Sequence, residues 1–209
     1  MNNYKVINMD KWKRKQHCEL FRKSVLPQYC VCFELDVTNF YKTVKKHGWS
    51  FTFAMIYIVS NTASEIENFR YRFLDGKAVI YDKIDTSFAY FDKETELFKF
   101  VQVILKDNIE DYIKLAKETA ENQQGYFIEP PRNDTYNFSP IPWVAFTDKS
   151  HTYGGNPDNA IPIFDWGKFH EENGKLIMPF SVQVHHSFVD GYHIGKFSEL
   201  IQKKINEIE

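Results

Sequence analysis

The 209-residue chain is notable first for what it lacks. Its 26 Lys and Arg residues nearly balance its 28 Asp and Glu residues, leaving a formal net charge of -2. That balance argues against a dedicated nucleic-acid binder, which usually presents a basic face. No apolar run approaches the roughly 20 residues needed to span a bilayer. The 3 cysteines are an odd number, and no secretory segment opens the sequence, so we expect a soluble cytoplasmic protein with reduced thiols.

Several motifs of common enzyme classes are also missing. There is no Gly-x-Ser-x-Gly elbow for serine hydrolysis and no glycine pattern for NAD or ATP. His185, His186 and His193 are the obvious candidates for zinc ligands. Adjacent residues on a strand diverge, however, and no His-Glu-x-x-His or Cys-x-x-Cys pattern supports such a site. We therefore expect no metal and no permanently bound cofactor.

The order of secondary structure indicates the fold class. Apolar spacing predicts helices at 11–23, 38–47, 51–66, 107–122 and from 191 onward. Alternation predicts strands at 30–37, 68–74, 77–82, 87–92, 97–104, 161–169 and 175–184. Extended structure also leads up to residue 146, interrupted by Pro140 and Pro142. Helices and strands do not strictly alternate. This favours an α+β fold, with a mixed β-sheet flanked by helices in one domain over residues 1–209.

The segment Pro179–Gly191 carries the strongest chemical signal. An alternating strand delivers His185 and His186, and Asp190 with Gly191 then begins a helix. Imidazole has a pKa suited to proton abstraction near neutrality, so a histidine at the end of a strand is a candidate general base. Only one of the two histidines can face a given site. A rigid turn after the pair would fix the orientation of that imidazole.

Three motifs together give a family resemblance. The His-His-x-x-x-Asp-Gly turn, the upstream segment Asn137–Trp143 and the early segment Asp10–Arg14 keep the order and spacing found in the chloramphenicol acetyltransferase family, which the chain resembles over essentially its full length. The resemblance implies a coenzyme A-dependent acyltransferase fold. It also implies a homotrimer with active sites at the subunit interfaces and acetyl-CoA as co-substrate.

The resemblance further implies roles for individual residues. His186 matches the general base, and Ser139 matches the serine that stabilises the oxyanion. Asp190 and Arg14 match a pair that supports the base structurally. Acceptor-binding positions correspond to Phe21, Val25, Tyr29, Phe98, Phe100 and Asp165, and coenzyme-binding positions correspond to Trp143, Lys168 and Phe169.

The chain departs from the family pattern near the expected acceptor. Asp165 occupies the position of a threonine that helps to hold a water by the oxyanion, and a carboxylate there would oppose the forming charge. Lys149-Ser150-His151 aligns with a Phe-Asn-Leu segment that lines the drug pocket, making this wall polar. Ser50 and Thr52 replace a lysine and a tyrosine on the coenzyme side.

Three functions remain open from the sequence. The first is acetyl-CoA-dependent O-acetylation of chloramphenicol, which inactivates the antibiotic, by histidine base catalysis in a ternary complex. The second keeps this chemistry but uses another hydroxyl or amine acceptor, as the pocket departures favour. The third is a ligand-binding trimer without catalysis, against which the retained His186, Ser139, Asp190 and Arg14 argue.

Overall fold

The computed structural model describes residues 2–209. Its helices are α1 (Lys15–Arg22), α2 (Thr38–His47), α3 (Phe51–Ser64), α4 (Ile109–Asn122) and α5 (Gly191–Glu207), with a 3-10 helix at Glu67–Arg70. Its strands are β1 (Tyr4–Val6), β2 (Gln28–Asp36), β3 (Tyr71–Leu74), β4 (Lys77–Tyr81), β5 (Asp85–Asp92), β6 (Leu97–Val103), β7 (Thr135–Phe138), β8 (Ile163–Trp166), β9 (His170–Glu172) and β10 (Lys175–His185).

The strands form two sheets. The larger sheet has the order β2-β10-β8-β7-β5-β6, with β9 also paired to β10, and the smaller one has the order β1-β4-β3. The larger sheet is mixed, because β7 runs parallel to both β5 and β8 whereas the other pairs are antiparallel. The expected α+β class with a mixed sheet is therefore confirmed.

Aromatic side chains join the helices to the larger sheet. Phe197 of α5 lies 5.3 Å from Phe164 of β8 and 6.1 Å from Phe180 of β10, measured between ring centroids. Phe53 of α3 lies 5.4 Å from Phe88 of β5. Aromatic pairs at these distances add to the stabilisation from burial alone. Aromatic residues make up 17% of the sequence, and many of them are buried in the core.

Glycine is needed at a close approach beside β8. A Cβ atom on Gly167 would lie only 2.5 Å from the carbonyl oxygen of Val144 and 2.9 Å from Pro179 Cγ. Its neighbour Lys168 donates its backbone N–H to the same Val144 oxygen at 2.9 Å. Gly167 therefore allows the segment that follows Ser139 to lie directly against the sheet.

Most predicted elements are present, with altered ends. The Asp75-Gly76 turn is confirmed, since both residues have positive φ and β3 pairs with β4 around them. The first helix begins only at Lys15, and residues 67–70 form a 3-10 helix where a strand was expected. The predicted strand at 161–169 shortens to β8, and the extended run toward residue 146 ends at Phe138, where Pro140 and Pro142 follow. Within residues 2–209, no helix has the length and apolarity required to cross a membrane.

Candidate active site

The two adjacent histidines have different environments, as their strand position predicts. His185 is buried, its Nε2 lies 2.9 Å from the carbonyl oxygen of Pro157, and its Nδ1 accepts the backbone N–H of Ser187 at 3.1 Å. Burial lowers the pKa of His185 to about 4. A neutral imidazole with its proton on Nε2 satisfies both contacts. His185 is therefore a core residue, and His186 is the histidine available to a substrate.

His186 is held between aromatic rings at the end of β10. The ring of Phe21 stacks on its imidazole with centroids 3.6 Å apart and planes 4° apart, and the ring of Tyr29 lies 4.7 Å away. Its backbone N–H donates to the carbonyl oxygen of Pro27 at 2.9 Å. Its Nδ1 is buried, 3.2 Å from Asp190 Oδ1. With Nδ1 enclosed and the side chain 34% exposed, Nε2 is the nitrogen a substrate can reach.

Arg14 fixes the turn that follows His186. Its guanidinium reaches both carboxylate oxygens of Asp190, at 2.5 and 2.6 Å. It also donates to the backbone oxygens of His186 at 2.9 Å and Ser187 at 2.7 Å. The bonds from Arg14 are the largest cause of the lowered pKa of Asp190, so this carboxylate stays ionised. A planar fork with several donors suits this double role, which a lysine could not fill.

Ser139 lies in a second cluster, at the end of β7. Its backbone N–H donates to Asp165 Oδ1 at 2.8 Å, and its carbonyl oxygen accepts from Lys149 Nζ at 2.7 Å. Asp165 belongs to β8, which runs parallel to β7 in a register that sets Phe138 beside Phe164. Parallel pairing thus carries Ser139 next to Asp165.

The Asp165 carboxylate is buried but surrounded by donors. Its side chain is 0% exposed, Lys149 Nζ lies 3.1 Å from Oδ1, and His151 Nε2 lies 2.7 Å from Oδ2. Ser181 donates its hydroxyl to Oδ2 at 3.4 Å. The sequence raised the problem of a carboxylate beside a forming oxyanion. The structure shows this carboxylate paired with the cationic Lys149, so its charge is balanced locally.

A single chain does not bring His186 and Ser139 together. Asp165, the neighbour of Ser139, pairs with Ser181 of β10, and His186 follows Ser181 by 186 − 181 = 5 residues. At about 3.3 Å per residue, the offset along the strand is roughly 16 Å, and two strand spacings add roughly 10 Å sideways. The two Cα atoms are therefore about 19 Å apart, too far for both side chains to act on one reacting atom.

The predicted acceptor residues divide between these two clusters. Phe21 and Tyr29 contact His186, and Val25 lies nearby on the loop after α1 with its side chain largely in solvent. Phe100 and Phe98 lie on β6. They pair with Ala89 and Phe91 of β5, which is the strand next to β7. We call the first group the histidine half-site (Arg14, Phe21, Tyr29, His186, Asp190) and the second the serine half-site (Phe98, Phe100, Ser139, Lys149, His151, Asp165).

A cleft of about 550 Å³ opens beside the serine half-site. Its walls include Ser50, Thr52 and Trp143, three positions that the sequence assigned to the coenzyme side, together with Lys93 and Lys117. Lys168 and Phe169 are not among its lining residues. Phe169 instead contacts Tyr41 and Phe51, at ring distances of 5.3 and 6.0 Å.

Sequence reasoning missed several of these contacts. It treated Lys149 and His151 as a polar replacement for an apolar wall, without linking them to Asp165. The sequence contained part of this information, because Lys149, His151 and Asp165 all depart from the family pattern at positions that the resemblance places near the acceptor. Lys93 and Lys117 were also missed, since they come from distant parts of the chain and only the fold brings them to one cleft.

Comparisons of sequence and of structure relate the chain to chloramphenicol acetyltransferases. The family model described as "Chloramphenicol acetyltransferase" matches residues 1–202. A chloramphenicol acetyltransferase of Proteus mirabilis is 29% identical over 205 residues, covering 97% of this chain and 94% of the relative. Chloramphenicol acetyltransferase 2 of Escherichia coli is 29% identical, covering 99% of each chain. A solved structure of a chloramphenicol acetyltransferase superposes with a TM-score of 0.90 at 25% identity, covering 97% of this chain and 100% of the other.

Proposed function

Because the chain belongs to the chloramphenicol acetyltransferase family, we propose that it transfers the acetyl group of acetyl-CoA to a hydroxyl of chloramphenicol. Its relatives identify it as an acyltransferase, and the relatives named above carry that substrate in their names. The observation that best supports the proposal is the fixed imidazole of His186, enclosed at Nδ1 and accessible at Nε2.

In this proposal His186 is the general base. Nε2 takes the proton of the acceptor hydroxyl while the hydroxyl oxygen attacks the thioester carbonyl carbon. A tetrahedral intermediate forms, the C–S bond then breaks, and the coenzyme thiolate leaves and takes up the proton from His186. The products are an acetyl ester and free coenzyme thiol. Both substrates bind together, so no covalent acyl-enzyme is required.

Ser139 is the proposed hydrogen-bond donor to the oxyanion. Its backbone is fixed at N–H and C=O, by Asp165 and Lys149 respectively. A donor fixed before the reaction stabilises the developing negative charge without reorganising in the transition state. This role requires the serine half-site to lie opposite a histidine half-site.

The separation within one chain supports a site shared between copies. Since His186 and Ser139 lie about 19 Å apart across the sheet, a reacting atom within reach of both would lie between two chains. In a homotrimer, the histidine half-site of one copy would face the serine half-site of the next copy. Three identical interfaces would then give three equivalent active sites.

Exposed apolar side chains beside each half-site support the same arrangement. Leu20, Val25 and Leu26 are exposed next to the histidine half-site. On the other side, the exposed residues are Phe91, Leu97, Phe98, Phe127, Ile128, Trp143 and Val144. Contacts between two different patches form a head-to-tail interface, which closes into a ring when the rotation allows it. Such contacts would remove both patches from water.

The cleft beside Trp143 is the proposed route for the coenzyme. Its aromatic and aliphatic wall suits the pantetheine arm. Lys93 supplies positive charge for phosphate groups, with Lys117, whose Nζ lies 3.9 Å from the carboxylate of Glu121 on the same wall. These lysines would replace the positive charge of the family's lysine, whose position is occupied by Ser50 in this chain. Lys168 and Phe169 lie outside the cleft wall, so a contact with the coenzyme would have to occur beyond its mouth.

One observation favours a second candidate, which is the same transfer to another hydroxyl or amine acceptor. The serine half-site has Lys149 and His151 on its wall, both largely buried and bonded to Asp165. Because these donors are already bonded within the protein, the change from the apolar family segment alters the shape of this wall, which suits an acceptor of a different shape from the drug.

The direct test is thiol release from acetyl-CoA by the purified protein, with and without chloramphenicol. The proposal predicts release that depends on the drug and is lost in His186→Ala, while His185→Gln retains most of it. Release with other hydroxylated compounds but not with the drug would replace the first candidate by the second. No release with any acceptor, or full activity in His186→Ala, would contradict the mechanism.

A further inference from the structure

We propose that Asp165 is a positioning residue for Ser139, and that Lys149 and His151 serve to hold its carboxylate in place. This inference rests on the proposed function, because it assigns Asp165 an effect on acetyl transfer. Asp165 and Lys149 fix the backbone of Ser139, and their own contacts give them a role in orienting the oxyanion donor.

The Asp165 carboxylate is held on both oxygens. Oδ1 receives the backbone N–H of Ser139 at 2.8 Å and lies 3.1 Å from Lys149 Nζ. Oδ2 lies 2.7 Å from His151 Nε2 and 3.4 Å from the hydroxyl of Ser181. A fully buried carboxylate is costly unless its lone pairs are satisfied by donors of this kind. Its orientation is therefore determined by the fold.

Lys149 links both sides of the same serine. Its Nζ contacts Asp165 Oδ1 at 3.1 Å and donates to the carbonyl oxygen of Ser139 at 2.7 Å. The peptide groups before and after Ser139 are thus fixed by one ion pair. Because the side chain extends from this backbone, fixing both groups limits the Ser139 hydroxyl to the positions of its staggered χ1 rotamers.

The three side chains depend on each other. A lone carboxylate here would repel the forming oxyanion, and a lone Lys149 would be a largely buried cation without a partner. Together they form an anchor in which the carboxylate is paired with a cation and bonded on both oxygens. Asp165, Lys149 and His151 are therefore best treated as one unit acting on the reaction through Ser139.

A double-mutant cycle on kcat tests this role. We expect Asp165→Asn to lower kcat about tenfold or more while the KM for acetyl-CoA stays unchanged, because the effect lies in the transition state. In a Ser139→Ala background, Asp165→Asn should lower kcat no further, since the serine through which it acts is gone. Asp148→Asn, the same change at an exposed neighbour in the chain, is the control and should leave kcat unchanged.

Equal losses of kcat in both backgrounds would overturn the proposal, because they would indicate a general structural effect. If Asp165→Asn does not fold, His151 gives a second comparison. His151→Gln retains a donor toward Oδ2 and should keep kcat within about twofold of wild type, whereas His151→Leu should lower it about tenfold. Equal values for these two variants would also overturn it.

Different results would contradict the proposed function and the positioning role of Asp165. A wild-type protein without acceptor-dependent thiol release contradicts the proposed function itself. An active wild type with a fully active Asp165→Asn variant contradicts only the positioning role, and leaves the acyltransferase mechanism in place.

Discussion

Arg14 binds both carboxylate oxygens of Asp190, at 2.5 and 2.6 Å, although 176 residues separate them in the chain. The same guanidinium also bonds the backbone oxygens of His186 and Ser187. One side chain near the start of the chain therefore stabilises the turn that carries the proposed base. In this arrangement, local stability and the orientation of the imidazole are coupled.

Replacing Arg14 should affect both stability and catalysis. Arg14→Met leaves Asp190 without its cation and two backbone oxygens without a donor, so we expect a loss of about 2 kcal/mol in the free energy of unfolding. This is below the cost for a fully buried pair, because the Asp190 side chain is 32% exposed. Urea unfolding monitored by circular dichroism measures it.

Arg14→Lys is the matched variant for the same position. It keeps the charge but not the planar fork, so kcat should still fall about tenfold while the charge-dependent part of the stability is retained. A wild-type kcat in Arg14→Lys would show that the orientation of His186 does not depend on the fork.

The stability of the protein should depend on pH through His185. Burial lowers its pKa to about 4 in the folded state, whereas an unfolded histidine titrates near its ordinary value of 6.5. The unfolded chain therefore binds the proton first as the pH falls, and the free energy of unfolding should decrease between about pH 6.5 and 4. The expected loss is roughly 2–3 kcal/mol.

His185→Gln isolates this contribution. Glutamine can donate to the carbonyl oxygen of Pro157 but does not titrate, so its unfolding free energy should fall less over the same pH interval. Urea titrations at a series of pH values measure the difference. An unchanged slope in the variant would assign the pH dependence to other groups, such as His193, whose pKa burial also lowers.

Ser139→Ala should lower kcat by about 100-fold or more, the usual cost of removing one donor to an oxyanion. The KM values for both substrates should change little, because the bond strengthens only in the transition state. Ser198→Ala, on α5 and outside both half-sites, is the control. A rise in KM alone would assign Ser139 to substrate binding instead.

Trp143→Ala should weaken coenzyme binding. This side chain is 59% exposed at the cleft and contacts Phe91 at a ring distance of 4.9 Å. We expect the KM for acetyl-CoA to rise about fivefold or more with kcat within about twofold of wild type. Tyr192→Ala removes an aromatic ring that is 73% exposed and outside the cleft, and should leave both constants unchanged.

Local patterns predicted the elements and the division between the two histidines. Alternation along β10 correctly indicated that His185 and His186 would face different surroundings, since strand geometry alone determines this. The Asp75-Gly76 hairpin was likewise predictable, because its turn requires positive φ. Element ends were less predictable: Arg14 lies just outside α1, and its side chain bonds Asp190 and the backbone oxygen of Ser187.

The electrostatics of the serine half-site could not be predicted in the same way. From the sequence alone, the carboxylate of Asp165 was expected to oppose the negative charge of the forming oxyanion. Only the fold brings Lys149 and His151 from a loop without regular structure onto that carboxylate. Loop conformation depends on long-range contacts such as the approach of Val144 to Gly167, which no short sequence window contains.

The central claim is that each active site combines His186 of one copy with Ser139 of another. Its most direct test is to unfold His186→Ala and Ser139→Ala proteins together, refold the mixture and measure acetyl transfer. Each variant alone should be nearly inactive, whereas random mixed trimers should recover about a quarter of the wild-type rate, because one interface in four regains both residues. Activity in the mixture no higher than that of the separate variants would contradict a site shared between copies.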